Sequence, residues 1–269
     1  IFALSILLQL FCENISARPP GTIGYLQQLE DDDWILKTEA LHYLAENNVK
    51  ESIEKIFKIA QSENENSWIR SKALIAYCKI QNNSSIPKIL ISFSSSKDIK
   101  LRIGAAESLN FIESNEAEAL ALKLTKDESD SVRYQALATY SNIKKQEAWP
   151  LVDKMTTTLS EEFIPIASQS LLNVGGEEAI KRLNENSKTV IDKRAFIESI
   201  SKIKTIKSIK VLLGMLEQTG MDEPNYSFII SALSKNKKED LTNSLSDLIM
   251  TGRDQAIFVS ARVITHLLQ

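Results

Sequence analysis

Apolar positions recur at spacings of three and four along most of the chain, and in one register they are tied to particular residue types. An apolar residue is followed by a basic one, two variable positions, a small residue, an apolar residue and another apolar residue three further on. The pattern reads Leu36-Lys37…Ala40-Leu41…Leu44, Ile69-Arg70…Ala73-Leu74…Tyr77, Leu101-Arg102…Ala105-Ala106…Leu109 and Val132-Arg133…Ala136-Leu137…Tyr140. The small anchors Ala40, Ala73, Ala105 and Ala136 stand 33, 32 and 31 positions apart. A fifth copy, Phe163-Ile164…Ala167-Ser168…Leu171, follows 31 residues later without the basic residue, and weaker copies run through Phe196, Ile229 and Ser260. Such spacing puts the apolar side chains on one stripe of a helix. Between copies lies a second stripe, as in Ile53-Ile56-Ile59, Ile86-Ile89-Leu90-Phe93 and Ile209-Leu212-Leu213-Leu216. Each copy therefore predicts an antiparallel helix pair. Pro87 and Pro150 both fall 14 residues after their anchors, where the first-turn N–H of the next helix is unpaired and proline costs no hydrogen bond.

A two-helix unit cannot bury its apolar faces alone, so units of this kind stack and share a core. The predicted fold is all-α: a right-handed α-solenoid of about eight antiparallel helix pairs over residues 18–269. Small anchors let neighbouring helices approach closely. These residues resemble the HEAT repeat family in its short bacterial form, most fully over Leu120 to Tyr140, with Asp127 and Asp130 in the turn and Val132, Arg133 and Ala136 on the second helix. Leu26 to Leu44 is a second good match, and beyond about Leu171 the match loosens. Arg70, Arg102 and Arg133 share one register and are expected to reach turn carboxylates or helix-end carbonyls of adjoining units, as a structural ladder.

Composition agrees with a helical chain. Among 269 residues, 43% are apolar and only 8 are Gly and 6 Pro, too few for the tight turns of a sandwich or barrel. A net charge of −3 argues against a molecule built as a whole to neutralise nucleic-acid phosphates. Charge is nonetheless uneven. Acidic residues gather in Glu30 to Asp33 and Glu113 to Glu118, and the stretch Lys181 to Lys210 carries an excess of six basic residues. Within it Lys193 and Arg194 are candidate contacts for an anionic partner, although scattered lysines on solvated helix faces are the simpler account.

Residues 1–12 are uncharged and almost wholly apolar, followed by the small residues Ser16 and Ala17. That run is shorter than the roughly 20 residues of a membrane-crossing helix and matches the core of a signal peptide, read here as residues 1–17. It predicts an exported, periplasmic or cell-envelope protein, with a cytoplasmic chain whose first helix is buried as the alternative. Cys12 opens a second version, lipid attachment to its thiol. Cys78 lies in a helical stretch and reads as a small hydrophobe.

Chemistry is sparse. The two histidines, His42 and His266, lie at opposite ends of the chain outside any metal-ligand box, and no His-Glu dipeptide of the kind used by iron-binding HEAT-repeat hydroxylases occurs. No nucleophile elbow, phosphate loop or dinucleotide fingerprint is present, and Gly175-Gly176 reads as a turn. No metal or cofactor is expected. On the second helices, the positions two and one before each anchor, Thr38, Ser71, Ile103, Tyr134 and Glu39, Lys72, Gly104, Gln135, are expected to form an exposed and mostly uncharged row. Trp34 and Trp68 stand at helix entrances six and five residues before their anchors, and with Tyr43 and Tyr134 they are candidate partner contacts, since interfaces favour aromatics. The reading is a non-enzymatic, monomeric scaffold or adaptor that binds a protein or peptide along its concave helix row. Two alternatives stay open: an enzyme-associated HEAT protein akin to the bilin lyases, and nucleic-acid binding through Lys181 to Lys210.

Overall fold

The computed structural model describes residues 21–82, 84–157, 160–189, 193–201, 204–219 and 224–267. Residues 1–17, read as a leader, and Cys12 within them lie outside the described residues. All regular structure among the described residues is helical. The chain divides into two compact units between Ala117 and Glu118.

The first unit holds three helix pairs: α1 (Thr22–Gln28) with α2 (Trp34–Glu46), α3 (Ile53–Gln61) with α4 (Ser67–Gln81), and α5 (Lys88–Ser94) with α6 (Ile99–Ser108). Local chemistry starts the second helix of each pair. The Asp33, Asn66 and Asp98 carboxylate or amide oxygens accept hydrogen bonds from the N–H groups of Ile35, Ile69 and Lys100, at 2.8, 2.9 and 2.8 Å, which satisfies first-turn donors. The second helices α2, α4 and α6 lie side by side, and each first helix packs against its own partner. Ala40, Ala73 and Ala105 are wholly buried at these seams, with Leu41, Leu44, Ile69, Leu74, Leu90 and Phe93 around them.

Helix α7 (Asn115–Leu124) crosses the division. The second unit continues with α8 (Asp130–Lys144) and the pairs α9 (Trp149–Thr156) with α10 (Ile164–Val174), α11 (Gly176–Thr189) with α12 (Lys193–Ser201), α13 (Ile206–Gln218) with α14 (Pro224–Ser234), and α15 (Lys238–Ile249) with α16 (Asp254–Leu267). Its second helices again form a row, α8 through α16, and one core runs from Leu137 through Leu171, Phe196, Leu212 and Ile229 to Val263. Phe196, Ile229 and Ser260, the weakest anchors of the pattern, are buried in α12, α14 and α16, so the register survives where the match to the motif loosens. Pro150 sits in the first turn of α9 and Pro87 is the N-cap of α5, as their spacing predicts. Gly175 ends α10 at φ +67°, a left-handed value that a side chain would strain.

The arginine ladder is present and takes helix-end carbonyls, one of the two targets expected, but within its own pair and not in an adjoining one. Arg70 donates from Nε to the Ala60 carbonyl at 3.2 Å, Arg102 donates to the Ser96 and Lys97 carbonyls at 2.8 and 3.2 Å, and Arg133 donates to those of Asp127 and Glu128 at 2.7 and 3.0 Å. Each guanidinium thus closes the carboxy-terminal end of the first helix in its own pair, where orphan carbonyls and the helix dipole favour a cation. Lys37, in the same register, instead reaches Glu65 in the next pair at 2.7 Å.

Candidate interaction surface

The caps that start α2, α4 and α6 also set what those helices present at their entrances. Trp34 and Ile35 follow Asp33, Trp68 lies two residues after Asn66, and Ile99 follows Asp98, so four large apolar side chains occupy first turns of adjoining second helices. Their exposures are 56%, 48%, 41% and 46%. Single exposed apolar residues are ordinary; their recurrence at one turn of successive repeats makes them a candidate contact surface. Trp34 and Trp68 are there as the sequence predicted. Ile35 and Ile99 were not picked out, although they stand at the same distances from Ala40 and Ala105 as the tryptophans do from their anchors. The Lys72 ammonium lies 4.7 Å from the Trp68 ring centre, a cation–π contact, and Lys72 also pairs with Glu107 at 3.6 Å.

The edge is acidic as well as apolar. Asp31, Asp32, Asp33 and Asp98 are all exposed beside it. The Ser67 hydroxyl, followed by backbone N–H donors of α6, holds the Asp98 carboxyl below its usual range, so it carries its charge well into acid. Glu30 is lowered likewise by the Lys55 ammonium.

Two other aromatic candidates behave differently. Tyr43 is half-buried and stacks on Tyr25 with ring centres 4.0 Å apart. Tyr134 is only 8% exposed. Its ring stacks on Phe163 at 4.7 Å and its hydroxyl donates to the Met155 carbonyl at 3.2 Å, so it is a core residue and not the exposed contact expected. The same correction applies to Ser71 and Gly104, both buried. The two meet where α4 and α6 cross: a Cβ on Gly104 would stand 2.6 Å from that of Ser71, and the Ser71 hydroxyl donates to the Lys100 carbonyl at 2.7 Å. A second helix flanked by neighbours on both sides keeps only a narrow open strip, from which Glu39 emerges fully and Thr38, Lys72, Ile103 and Gln135 partly.

The basic stretch is partly neutralised within the fold. Arg182 pairs with Asp153 at 2.6 Å and Glu185 at 3.5 Å, and Lys210 pairs with Asp247 at 3.1 Å. Arg194 lays its guanidinium 3.7 Å from the Phe228 ring centre, and Lys193 is half-buried. Cys78 is buried with its thiol pushed up to about 12 by burial, the behaviour of an inert hydrophobe. His42 and His266 are exposed, and among the described residues no cluster of three or more His, Cys, Asp or Glu side chains could hold a metal ion.

Residues 24–110 match the family described as HEAT repeats. No curated protein matches the chain. Among solved structures it is similar to a chain of the complex of CpcE and CpcF of phycocyanin lyase from Nostoc sp. PCC7120, with a TM-score of 0.53 at 17% identity, covering 94% of this chain and 97% of that one. It is similar also to human deoxyhypusine hydroxylase, with a TM-score of 0.40 at 12% identity over 91% of this chain and 95% of that one. At 17% identity the first of these likenesses speaks to fold alone. Residues 24–110 therefore carry HEAT repeats, and the all-α fold of stacked helix pairs that belongs to α-solenoids extends through the described remainder of the chain.

Proposed function

We propose that this chain is a non-enzymatic adaptor that binds a protein or peptide through its row of second helices, with the apolar edge of the first unit as the main contact. The recurrence of Trp34, Ile35, Trp68 and Ile99 at one turn of three successive second helices carries the reading. Repeat arrays use extended surfaces of this kind for recognition, and exposed tryptophans are the side chains most able to anchor a partner. The acids beside the edge give the partner its chemistry: a segment offering apolar side chains flanked by Lys or Arg. The apolar run in residues 1–12 supports an exported chain that meets its partner outside the cytoplasm.

The test is capture from native extract on the immobilised full chain, followed by titration of the retained protein. The parent chain retains a specific protein, and the double variant Trp34→Ala, Trp68→Ala weakens that binding about thirtyfold or more, since a tryptophan anchor contributes about 2 kcal/mol or more. Equal retention by parent and variant would sink the edge as the contact. Co-purification of a coloured ligand with no retained protein would favour the bilin-handling reading instead, and salt-sensitive retention on heparin would favour nucleic acid.

A further inference from the structure

In the second unit, a cleft of about 400 Å³ opens between the second helices α14 and α16. Tyr226 and Ile230, one turn apart, form the wall on α14; Phe258, Arg262 and His266, at successive turns, form the wall on α16. Its floor is kept low by a small residue, Ala261, and the Thr265 hydroxyl is occupied by the carbonyl of that residue at 2.8 Å.

The guanidinium of Arg262 rests 5.3 Å from the Phe258 ring centre, yet among the described residues no carboxylate lies within ion-pair reach of it. Arg133, Arg182 and Arg253 differ, each being paired with an Asp or Glu. The lining therefore combines a fork of N–H donors, an imidazole and two apolar walls, and it contains no acidic side chain.

We propose that this cleft binds the free carboxylate end of a peptide whose last side chain is apolar. Both carboxylate oxygens meet the Arg262 fork in the bidentate geometry that guanidinium favours, and the terminal side chain lies between Ile230 and Phe258. At about 400 Å³ the open cleft falls within the range of small-ligand sites. The proposal deepens the adaptor reading and rests on it, adding a second contact on the same kind of surface, selective for chain ends.

The experiment uses the full chain, 15N-labelled, and the tetrapeptide acetyl-Ala-Ala-Ala-Phe as free acid and as C-terminal amide. The free acid shifts amide resonances of α14 and α16 saturably, and the amide binds about tenfold more weakly, as does the free acid to Arg262→Gln. Arg253→Gln, whose parent guanidinium already pairs with Glu217, leaves binding of the acid unchanged. Arg262 is exposed, so the variant keeps its helical circular dichroism. Equal binding of acid and amide, parent-like binding by Arg262→Gln, or no shift in α14 and α16 at about 10 mM peptide would each overturn the proposal. The edge is tested by the tryptophan variants, which leave this cleft intact, so the two readings fail separately.

Discussion

Arg102 shows what the basic position of the repeat does. It is buried, and its guanidinium donates to two carbonyls in the turn that ends α5. Removing it strands those acceptors and empties a packed space, so Arg102→Ala is expected to lower stability by about 2–4 kcal/mol, read as a lower urea midpoint. Arg102→Lys keeps the charge but loses the planar fork, and its midpoint falls between the two. Gly104 makes the complementary case, because there the sequence spends a helix-weakening residue to gain contact. A methyl group at Gly104 meets Ser71 at 2.6 Å. Against the usual helical gain from Gly to Ala, Gly104→Ala is therefore expected to destabilise by about 1–3 kcal/mol, and the double variant with Ser71→Gly to recover part of that loss. If Gly104→Ala stabilises the chain, the close crossing of α4 and α6 is wrong.

Among helices, the entrances are where stability and the proposed surface meet. Asp33 and Asp98 cap α2 and α6 and also supply charge beside the apolar edge. Asp98→Asn keeps an acceptor for the cap and removes the charge; Asp98→Ala removes both and is expected to cost about 1 kcal/mol. The Asp98 carboxyl is lowered, as are Glu30 beside Lys55 and Glu46 beside Lys79. Groups with lowered native values bind protons more readily in the unfolded chain. Their contribution is thus complete above the ordinary carboxylate range and is lost as pH falls through that range toward the native values. Urea midpoints taken from pH 7 down to pH 3 should fall for the parent and fall less for Asp98→Asn. The alanine anchors and the helix pairing were legible in the sequence because the repeat ties a small residue to a fixed position on a stripe. The entrances were only half legible. A tryptophan in a first turn draws notice, whereas isoleucine is common on both core and open faces, and the exposure of Ile35 and Ile99 depends on where the neighbouring helix ends.

Across the whole molecule, what could not be read was which side of each second helix stays open. Tyr134, Ser71 and Gly104 hold positions that face solvent on an isolated pair, and stacking buries them, since burial here is decided by the neighbour some 30 residues away. The α14–α16 cleft was hidden for the same reason, lying between repeats whose motif is weakest. Stacking also grades stability within a unit. Helix α4 packs against α2, α3 and α6 and buries seven side chains along its length, whereas α1 packs on α2 and buries none. Amide exchange should therefore be slowest in the middle of α4 and fast throughout α1, because local opening follows the apolar area that holds each helix down. The first turns of α2, α4 and α6 lack intrahelical acceptors for their earliest N–H groups and exchange quickly unless capped or covered. A partner seated on Trp34, Ile35, Trp68 and Ile99 would slow exchange in those first turns of three helices together, while leaving α1 as fast as before. Protection appearing instead on α1, or on one entrance alone, would place the partner elsewhere and detach the edge from the function proposed for it.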